Sequence, residues 1–169
     1  GEAEPTPRTG GEAAGSMSPR YFVAEAYPLQ QSKHRGNGSL RIQNIRIFDD
    51  EFGLANQIGC GHGCEFHLDY SSGVNSEKLH QVSIALVIKD LLEQPIVSGT
   101  TFFYDQDFRE VPPKGTFICR FPALPIIPNR YKLYIWVSVD GQEADIIDDA
   151  GHFDIIASDI FGTGRIPRD

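Results

Sequence analysis

The chain has 169 residues, of which 40% are hydrophobic and 11% aromatic, a composition that predicts a folded globular domain and excludes a wholly disordered chain. Its formal net charge of −8 excludes a general affinity for nucleic acid or anionic membranes, since both require a basic surface. No apolar run approaches the roughly 20 residues that span a bilayer, no secretory signal opens the chain, and the odd count of three cysteines indicates a reducing compartment, most simply the cytosol.

Residues 1–20 are rich in Gly, Ala, Glu, Pro, Ser and Thr, and Met17 is their only large apolar residue. Such a segment cannot bury enough apolar surface to offset the entropy that is lost on ordering. We expect it to be a linker or a cloning-derived segment, with the folded domain at 21–169. A short apolar strand candidate opens that domain, from Tyr21 to Pro28.

Short strands follow in the first half of the domain. Leu40–Phe48 is rich in β-formers, but its apolar residues change parity at Gln43-Asn44, which predicts a β-bulge. A polar turn through Gly53 comes next. Apolar and polar residues alternate strictly in Cys64–Tyr70 and in Val82–Ile88, so each is predicted to be a strand with one buried face.

The second half continues in the same way. Thr100–Tyr104 is a short strand candidate, and the turn Pro112–Gly115 leads into the strand Thr116–Phe121. Tyr131–Val139 alternates most clearly, and His152–Ile156 closes the set. No window carries the 3.6-residue apolar period of a helix. The pattern predicts an all-β fold: an immunoglobulin-like antiparallel β-sandwich, jelly-roll-like, of seven to nine strands.

Tyr131 stands at the start of its predicted strand, directly after the Pro-rich stretch Leu124–Pro128 and two further residues. This is the position of a tyrosine corner, in which the phenol donates a hydrogen bond to upstream backbone. Asn129 is expected to take the left-handed conformation that such a corner often needs.

The negative charge is concentrated in one segment. Seven acids and no Lys or Arg lie between Asp140 and Asp159. Asp145, Asp148 and Asp149 are of the chemistry that binds calcium, but the spacing of a calcium loop is missing, so we interpret this stretch as a solvated loop. Its field is expected to disfavour strongly anionic ligands.

Cys60, His62, Cys64 and His67 lie within eight residues and have the ligand chemistry of a zinc site. Their spacing is not that of a zinc knuckle, and alternation sends Cys64 inward and His67 outward, so buried structural cysteines are the preferred interpretation. No phosphate loop, dinucleotide fingerprint, HExxH or GxSxG motif is present. We therefore predict no catalysis, no metal and no cofactor.

Alternation also places Tyr134 and Trp136 together on the outward side of the Tyr131–Val139 strand. If Val82–Ile88 is one neighbour, its small outward residues leave room beside the rings, and if His152–Ile156 is the other, its polar residues edge the same face. An aromatic platform with polar neighbours suits a sugar ring, or else it packs under a loop or a partner chain. The candidate carbohydrate-binding residues are Trp136, Tyr134, Ser83, Ala85, Lys89, His152 and Asp154.

In order, these elements resemble the C-terminal carbohydrate-binding domain of Wzt-type ATP-binding proteins from ABC transporters that export O-antigen polysaccharide. The resemblance covers Gly38 to Pro167. It rests on the predicted strands and turns from Leu40 onward, on the Leu124–Tyr131 corner, on Phe153-Asp154-Ile155, and on the closing Ile160-Phe161-Gly162-Thr163-Gly164-Arg165.

The resemblance implies a non-catalytic module that binds lipid-linked O-antigen polysaccharide, delivers it to the transporter and sits at the cytoplasmic face of the inner membrane. It implies a homodimer, with residues 158–169 as a candidate exchanged strand. The implied partners are a separate ATPase domain and a membrane permease. Binding of nucleic acid and insertion into the membrane are not expected. Its sugar site on a concave sheet face agrees with the face of Tyr134 and Trp136. The alternative is a protein-interaction or dimerisation β-sandwich without glycan binding.

Overall fold

The computed structural model describes residues 27–29, 32–73, 77–99 and 108–157, and the regular structure in these ranges is entirely β-strand. The strands in chain order are β1 Tyr27–Pro28, β2 Leu40–Asp49, β3 Gly53–Leu54, β4 Gln57–Gly59, β5 Cys64–Ser72, β6 Leu79–His80, β7 Val82–Lys89, β8 Pro95–Gly99, β9 Glu110–Val111, β10 Lys114–Phe121, β11 Asn129–Val139, β12 Gln142–Ile147 and β13 His152–Ile156. No described segment is a helix long and apolar enough to cross a bilayer.

The strands form two main sheets. The first sheet has the order β10-β5-β2-β1, with β3 also paired to β2. The second has the order β4-β13-β11-β7-β8, with β12 also paired to β11. β6 and β9 form a separate two-stranded ribbon. Neighbouring strands are antiparallel apart from β4 and β13, which run parallel.

The inward rows of both sheets meet in one hydrophobic core. Phe66 of the first sheet packs edge-to-face on Phe153 of the second, with ring centroids 5.4 Å apart. The alternating residues predicted to point inward in β5, β7, β10 and β11 are buried, because each strand has one face in this core. The predicted all-β, immunoglobulin-like sandwich is thus confirmed, and eight of the described strands have five residues or more.

The predicted bulge in β2 is also confirmed. The pairing of β2 with β5 shifts between Ile42 and Asn44, so that Gln43 is an extra residue. Ile42 and Ile45 are both buried although their sequence positions differ in parity. The extra residue returns the second half of the strand to the core face.

The tyrosine corner is present as predicted. The Tyr131 hydroxyl donates to the carbonyl oxygen of Ile127 over 2.7 Å, while its ring packs near Phe153. The expectation for Asn129 is wrong, because Asn129 is the first residue of β11 and lies outside the left-handed region. The hydroxyl reaches the backbone of the loop without a left-handed residue at that position.

The acidic segment contains a strand that the sequence interpretation missed. Gln142–Ile147 forms β12, and the side chain of Asp145 is completely buried, so the prediction of a solvated loop is wrong there, although Asp148 and Asp149 are exposed. The turn at Pro112–Gly115 is shorter than predicted, since Lys114 already belongs to β10.

Ser138 continues the outward alternation of β11, opposite Ser83 of β7, and is nevertheless buried. The pairing of β11 with β12 shifts between Val137 and Ser138. Four further expectations concern residues outside those that the structure describes. They are the segment 1–20, most of the strand candidate Tyr21–Pro28, all of the strand candidate Thr100–Tyr104, and the exchanged strand at 158–169.

Candidate functional site

The outer surface of the second sheet is built around β11 and β7, which are direct neighbours. Their register sets Trp136 opposite Ala85, Tyr134 opposite Val87, and Lys132 opposite Lys89. We call the surface formed by Tyr134, Trp136, Ala85, Val87 and Lys89 the aromatic face. The sequence left the neighbours of this strand open, and in the structure β7 lies beside the two rings. Ser83 is also on this side, exposed, and opposite Ser138 at the far end of the register.

β13 is the other neighbour of β11, but only along its first half. His152 lies opposite Lys132, and Asp154 lies opposite Arg130, so these residues share the outer surface one and two rows away from Tyr134. The Asp154 carboxylate accepts hydrogen bonds from Arg130 Nε at 2.8 Å and Nη2 at 3.3 Å. Asp154 is thus already paired, whereas His152 remains a half-buried group at the edge of the aromatic face.

Beside Trp136 the neighbour is β12, which the sequence interpretation did not include. Ile146 lies opposite Trp136, and the indole Nε1 donates a hydrogen bond to Glu143 Oε2 at 3.0 Å. A sequence signal for this hairpin exists: Asp140-Gly141 joins β11 to β12, and both residues have positive φ, 53° and 79°. Asp-Gly is a preferred pair for such a two-residue turn.

Tyr134 is held from the opposite side of the aromatic face. The Lys89 ammonium lies 4.7 Å from the centroid of its ring, in cation–π contact. Lys89 and Lys132 both form ion pairs with Glu93, which lies in the turn after β7. Partial burial, and then the nearby Asp148 carboxylate, raise the pKa of the Tyr134 phenol.

The segment before β2 forms an added edge along β12. The Arg35 amide donates to Ile146 O and the Ile146 amide to Arg35 O, each over 2.9 Å. Gly36 permits this approach, because a Cβ there would lie 2.6 Å from the Ala144 carbonyl carbon. The Arg35 guanidinium then pairs with Asp148 at 2.9 Å, which places a paired charge next to Tyr134.

The acidic segment does not act as an uncompensated field beside the aromatic face. Asp145 pairs with Arg41 and His34, Asp148 with Arg35, and Asp154 with Arg130. The basic partners lie far away in the sequence or on a neighbouring strand. The negative charge is therefore concentrated in the sequence but not in the folded structure. The fold brings half of the described acids of this segment into ion pairs.

The cysteine and histidine cluster is dispersed by the fold. Cys64 is buried in the core, which raises the pKa of its thiol to about 12, while His62 contacts the buried Asp49 carboxylate at 2.9 Å. His67 lies on the outer surface against Glu65. Within the described ranges no three His, Cys, Asp or Glu side chains are grouped so that they could hold a metal ion.

Comparison with known proteins agrees with this architecture. The family model of the Wzt C-terminal domain matches residues 31–166. The chain is also similar to a crystal structure of the C-terminal domain of wzt, with a TM-score of 0.62 and 13% sequence identity over 82% of this chain and 86% of that one. No curated protein matches the sequence. Because the family model covers most of the chain, this protein belongs to the Wzt C-terminal domain family.

Proposed function

We propose that this domain is a non-catalytic module that binds lipid-linked O-antigen polysaccharide through the aromatic face. Family membership supports a role in an O-antigen ABC transporter. The observation that carries the proposal further is that Tyr134 and Trp136, both half-buried, lie two residues apart on the outer surface of a central strand. A rigid pair of this kind is suited to the apolar faces of sugar rings.

The neighbours of the rings supply the rest of such a site. Ala85 opposite Trp136 leaves space for a ring to stack. Lys89, His152, Ser83 and Asp154 provide polar groups around the aromatic residues, although Asp154 must share its carboxylate with Arg130. Sugar hydroxyls need such fixed donors and acceptors for orientation, while stacking supplies most of the contact area.

In this proposal the module works as part of a larger assembly. It binds the polysaccharide at the cytoplasmic face of the inner membrane and couples it to export. It acts as a homodimer, with a transporter ATPase domain and a membrane permease as partners. The chemistry of ATP hydrolysis lies in that separate domain, and this module contributes recognition.

The proposal is tested by Trp136→Ala, assayed on an array of purified O-antigen polysaccharides and then by calorimetry with the best binder. Loss of the stacking ring is expected to weaken binding at least tenfold, since alanine substitution of a buried aromatic anchor costs about 2 kcal/mol or more. Phe48→Ala is the matched control, because Phe48 is a half-buried aromatic residue on the first sheet. Equal binding by wild type and Trp136→Ala contradicts the site.

The alternative function is a protein-interaction or dimerisation sandwich whose aromatic face meets another chain. Sedimentation of the wild type and of Trp136→Ala distinguishes the two functions. A glycan site predicts the same mass for both proteins. A shift from dimer to monomer in the variant, without glycan binding by the wild type, assigns the aromatic face to a protein interface.

A further inference from the structure

The indole of Trp136 is held at one edge by a carboxylate. Its Nε1 donates to Glu143 Oε2 over 3.0 Å, and this N–H is the only hydrogen-bond donor that an indole has. Glu143 stands on β12 opposite Ser138, one row beyond Trp136. Its own backbone is fixed, since the Asn37 amide donates to Glu143 O at 2.9 Å. The backbone of β12 is thus anchored at the residue whose carboxylate is bonded to the indole.

The direction of this bond decides which side of the ring is open. Glu143 and β12 lie on one side of β11, while β7 lies on the other. The indole is drawn towards β12, and the space over Ala85 on β7 is left beside it. Tyr134 differs, because the Lys89 ammonium lies over its ring at 4.7 Å. A ligand ring consequently meets an open aromatic surface at Trp136 and a cation at Tyr134.

The Glu143 carboxylate has a second oxygen that can accept a hydrogen bond. Among the residues that the structure describes, the Trp136 indole is the hydrogen-bond partner of its carboxylate, through Oε2. An ionised carboxylate accepts at both oxygens, so Oε1 remains an acceptor at the edge of the indole plane. Hydrogen bonds from hydroxyls to a charged acceptor are stronger than those to a neutral one.

We propose that Glu143 is a positioning and specificity-determining residue of the aromatic face: Oε2 orients the Trp136 indole, and Oε1 accepts a hydroxyl of the sugar ring that stacks on it. The inference rests on the proposed glycan-binding function. It implies that this ring is neutral and carries a hydroxyl at its edge towards β12. A carboxylate or phosphate there is rejected, because two like charges would face each other.

The orientation of the indole can be tested without any ligand. Trp136 is the only tryptophan of the chain, so emission maximum and acrylamide quenching report its surroundings directly. Glu143→Gln retains an amide oxygen that accepts from Nε1, and we expect wild-type fluorescence. Glu143→Ala removes the acceptor, and we expect faster quenching and a shifted maximum. Asp148→Asn, which removes a nearby negative charge without touching Nε1, is the matched control and is expected to behave like the wild type.

The second arm measures binding of the array-selected O-antigen polysaccharide. Glu143→Gln is expected to weaken it by about tenfold or more, the size of one lost hydrogen bond to a charged acceptor. Glu143→Ala is expected to weaken it further, because the stacking ring is also released. Near-UV circular dichroism and the unfolding midpoint establish that each variant is folded.

The outcomes separate this inference from the function on which it depends. If Trp136→Ala loses binding while Glu143→Ala matches the wild type in both quenching and affinity, the role of Glu143 is overturned and the glycan site stands. If wild-type quenching persists in Glu143→Ala but affinity falls, the positioning role alone is overturned. If the wild type binds no polysaccharide, the proposed function fails, and with it the hydroxyl contact.

Discussion

Tyr131 joins the loop before β11 to the strand that carries the aromatic face. Its hydroxyl donates to Ile127 O at 2.7 Å, and its ring is buried in the core beside Phe153. Burial raises the pKa of this phenol, so the hydroxyl remains a donor at neutral pH. The bond spans four residues, and local contacts of this kind are visible in a sequence because the partners lie on one short stretch.

Tyr131→Phe tests this contact. Removing the hydroxyl leaves Ile127 O without its donor, and we expect the free energy of unfolding to fall by about 1 kcal/mol. Urea denaturation followed by Trp136 fluorescence measures the change. Tyr134→Phe is the matched control and should change stability by less than about 0.5 kcal/mol. Equal effects of the two substitutions would rule out a specific contribution of the corner.

Glu143, by contrast, gives only an indirect signal, through the Asp140-Gly141 turn that precedes it. It reaches Trp136 only because the Asp140-Gly141 turn folds β12 back on β11, and an exposed glutamate in an acidic run resembles any solvated residue. Arg35 contacts Asp148 across 113 positions. Which residues meet across such a distance in the sequence depends on how the strands pair. The alternation within one strand carries no information about that.

Among the elements, β12 shows why a strand with a buried charge escapes prediction. The Asp145 side chain has no exposed surface, and its carboxylate lies 2.8 Å from Arg41 Nη1 and 2.6 Å from His34 Nδ1. The Ile42 amide of β2 donates to its other oxygen at 2.8 Å. A charged residue at an inward position interrupts the alternation of apolar and polar residues, so the sequence of β12 resembles that of a loop. Strands whose inward residues are all apolar can be predicted, because alternation shows directly which side is buried.

Asp145→Ala tests the importance of this junction. It leaves the Arg41 and His34 side chains and the buried Ile42 amide without their shared acceptor, and each buried group left unsatisfied costs about 1–3 kcal/mol. We expect a large drop in the urea midpoint. Should Asp145→Ala prove too unstable to purify, Asp145→Asn reports the loss of charge at equal size. Asp148→Ala, which breaks an exposed pair, should lower the midpoint far less. A similar cost for both alanine variants would contradict the junction.

Across the whole molecule, ion pairs distribute the negative charge. The Arg120 guanidinium holds the pKa of the Asp50 carboxyl below its usual value, and Lys132 and Lys78 do the same for Glu93 and Glu110. A carboxyl with a depressed folded pKa binds fewer protons in the folded state than in the unfolded one. Its contribution to stability is therefore present at neutral pH and is lost as the pH falls through the folded pKa.

Asp50→Asn isolates one such group. At pH 7 the variant is expected to be less stable than the wild type, by less than about 1 kcal/mol because the pair is partly exposed. The difference should stay constant down to about pH 5 and shrink as the pH is lowered further, as Asp50 becomes protonated first in the unfolded chain and then in the folded one. Urea midpoints at several pH values measure it. A difference that stays constant below about pH 5 as well would exclude the ionic contribution.

The same distribution changes what the acidic segment says about a ligand. Read along the chain, it indicated repulsion of anions beside the aromatic face. In the fold, Asp145, Asp148 and Asp154 are paired, and in the proposed site Glu143 is the residue that favours a neutral ligand. Charge counted along a sequence does not give the sign of a surface, because partners arrive from other strands.

The bulge in β2 has a consequence for how this domain tolerates mutation. The extra residue Gln43 lets both halves of the strand face the core, and the neighbouring Ile42 amide donates to Asp145 on the other sheet. A main-chain donor is present whatever residue other than proline occupies its position. This link between the sheets is therefore insensitive to substitution at Ile42 or Gln43, and sensitive to the insertion or deletion of a single residue. Within β2, the number of residues therefore matters more for this link than the identity of the side chains.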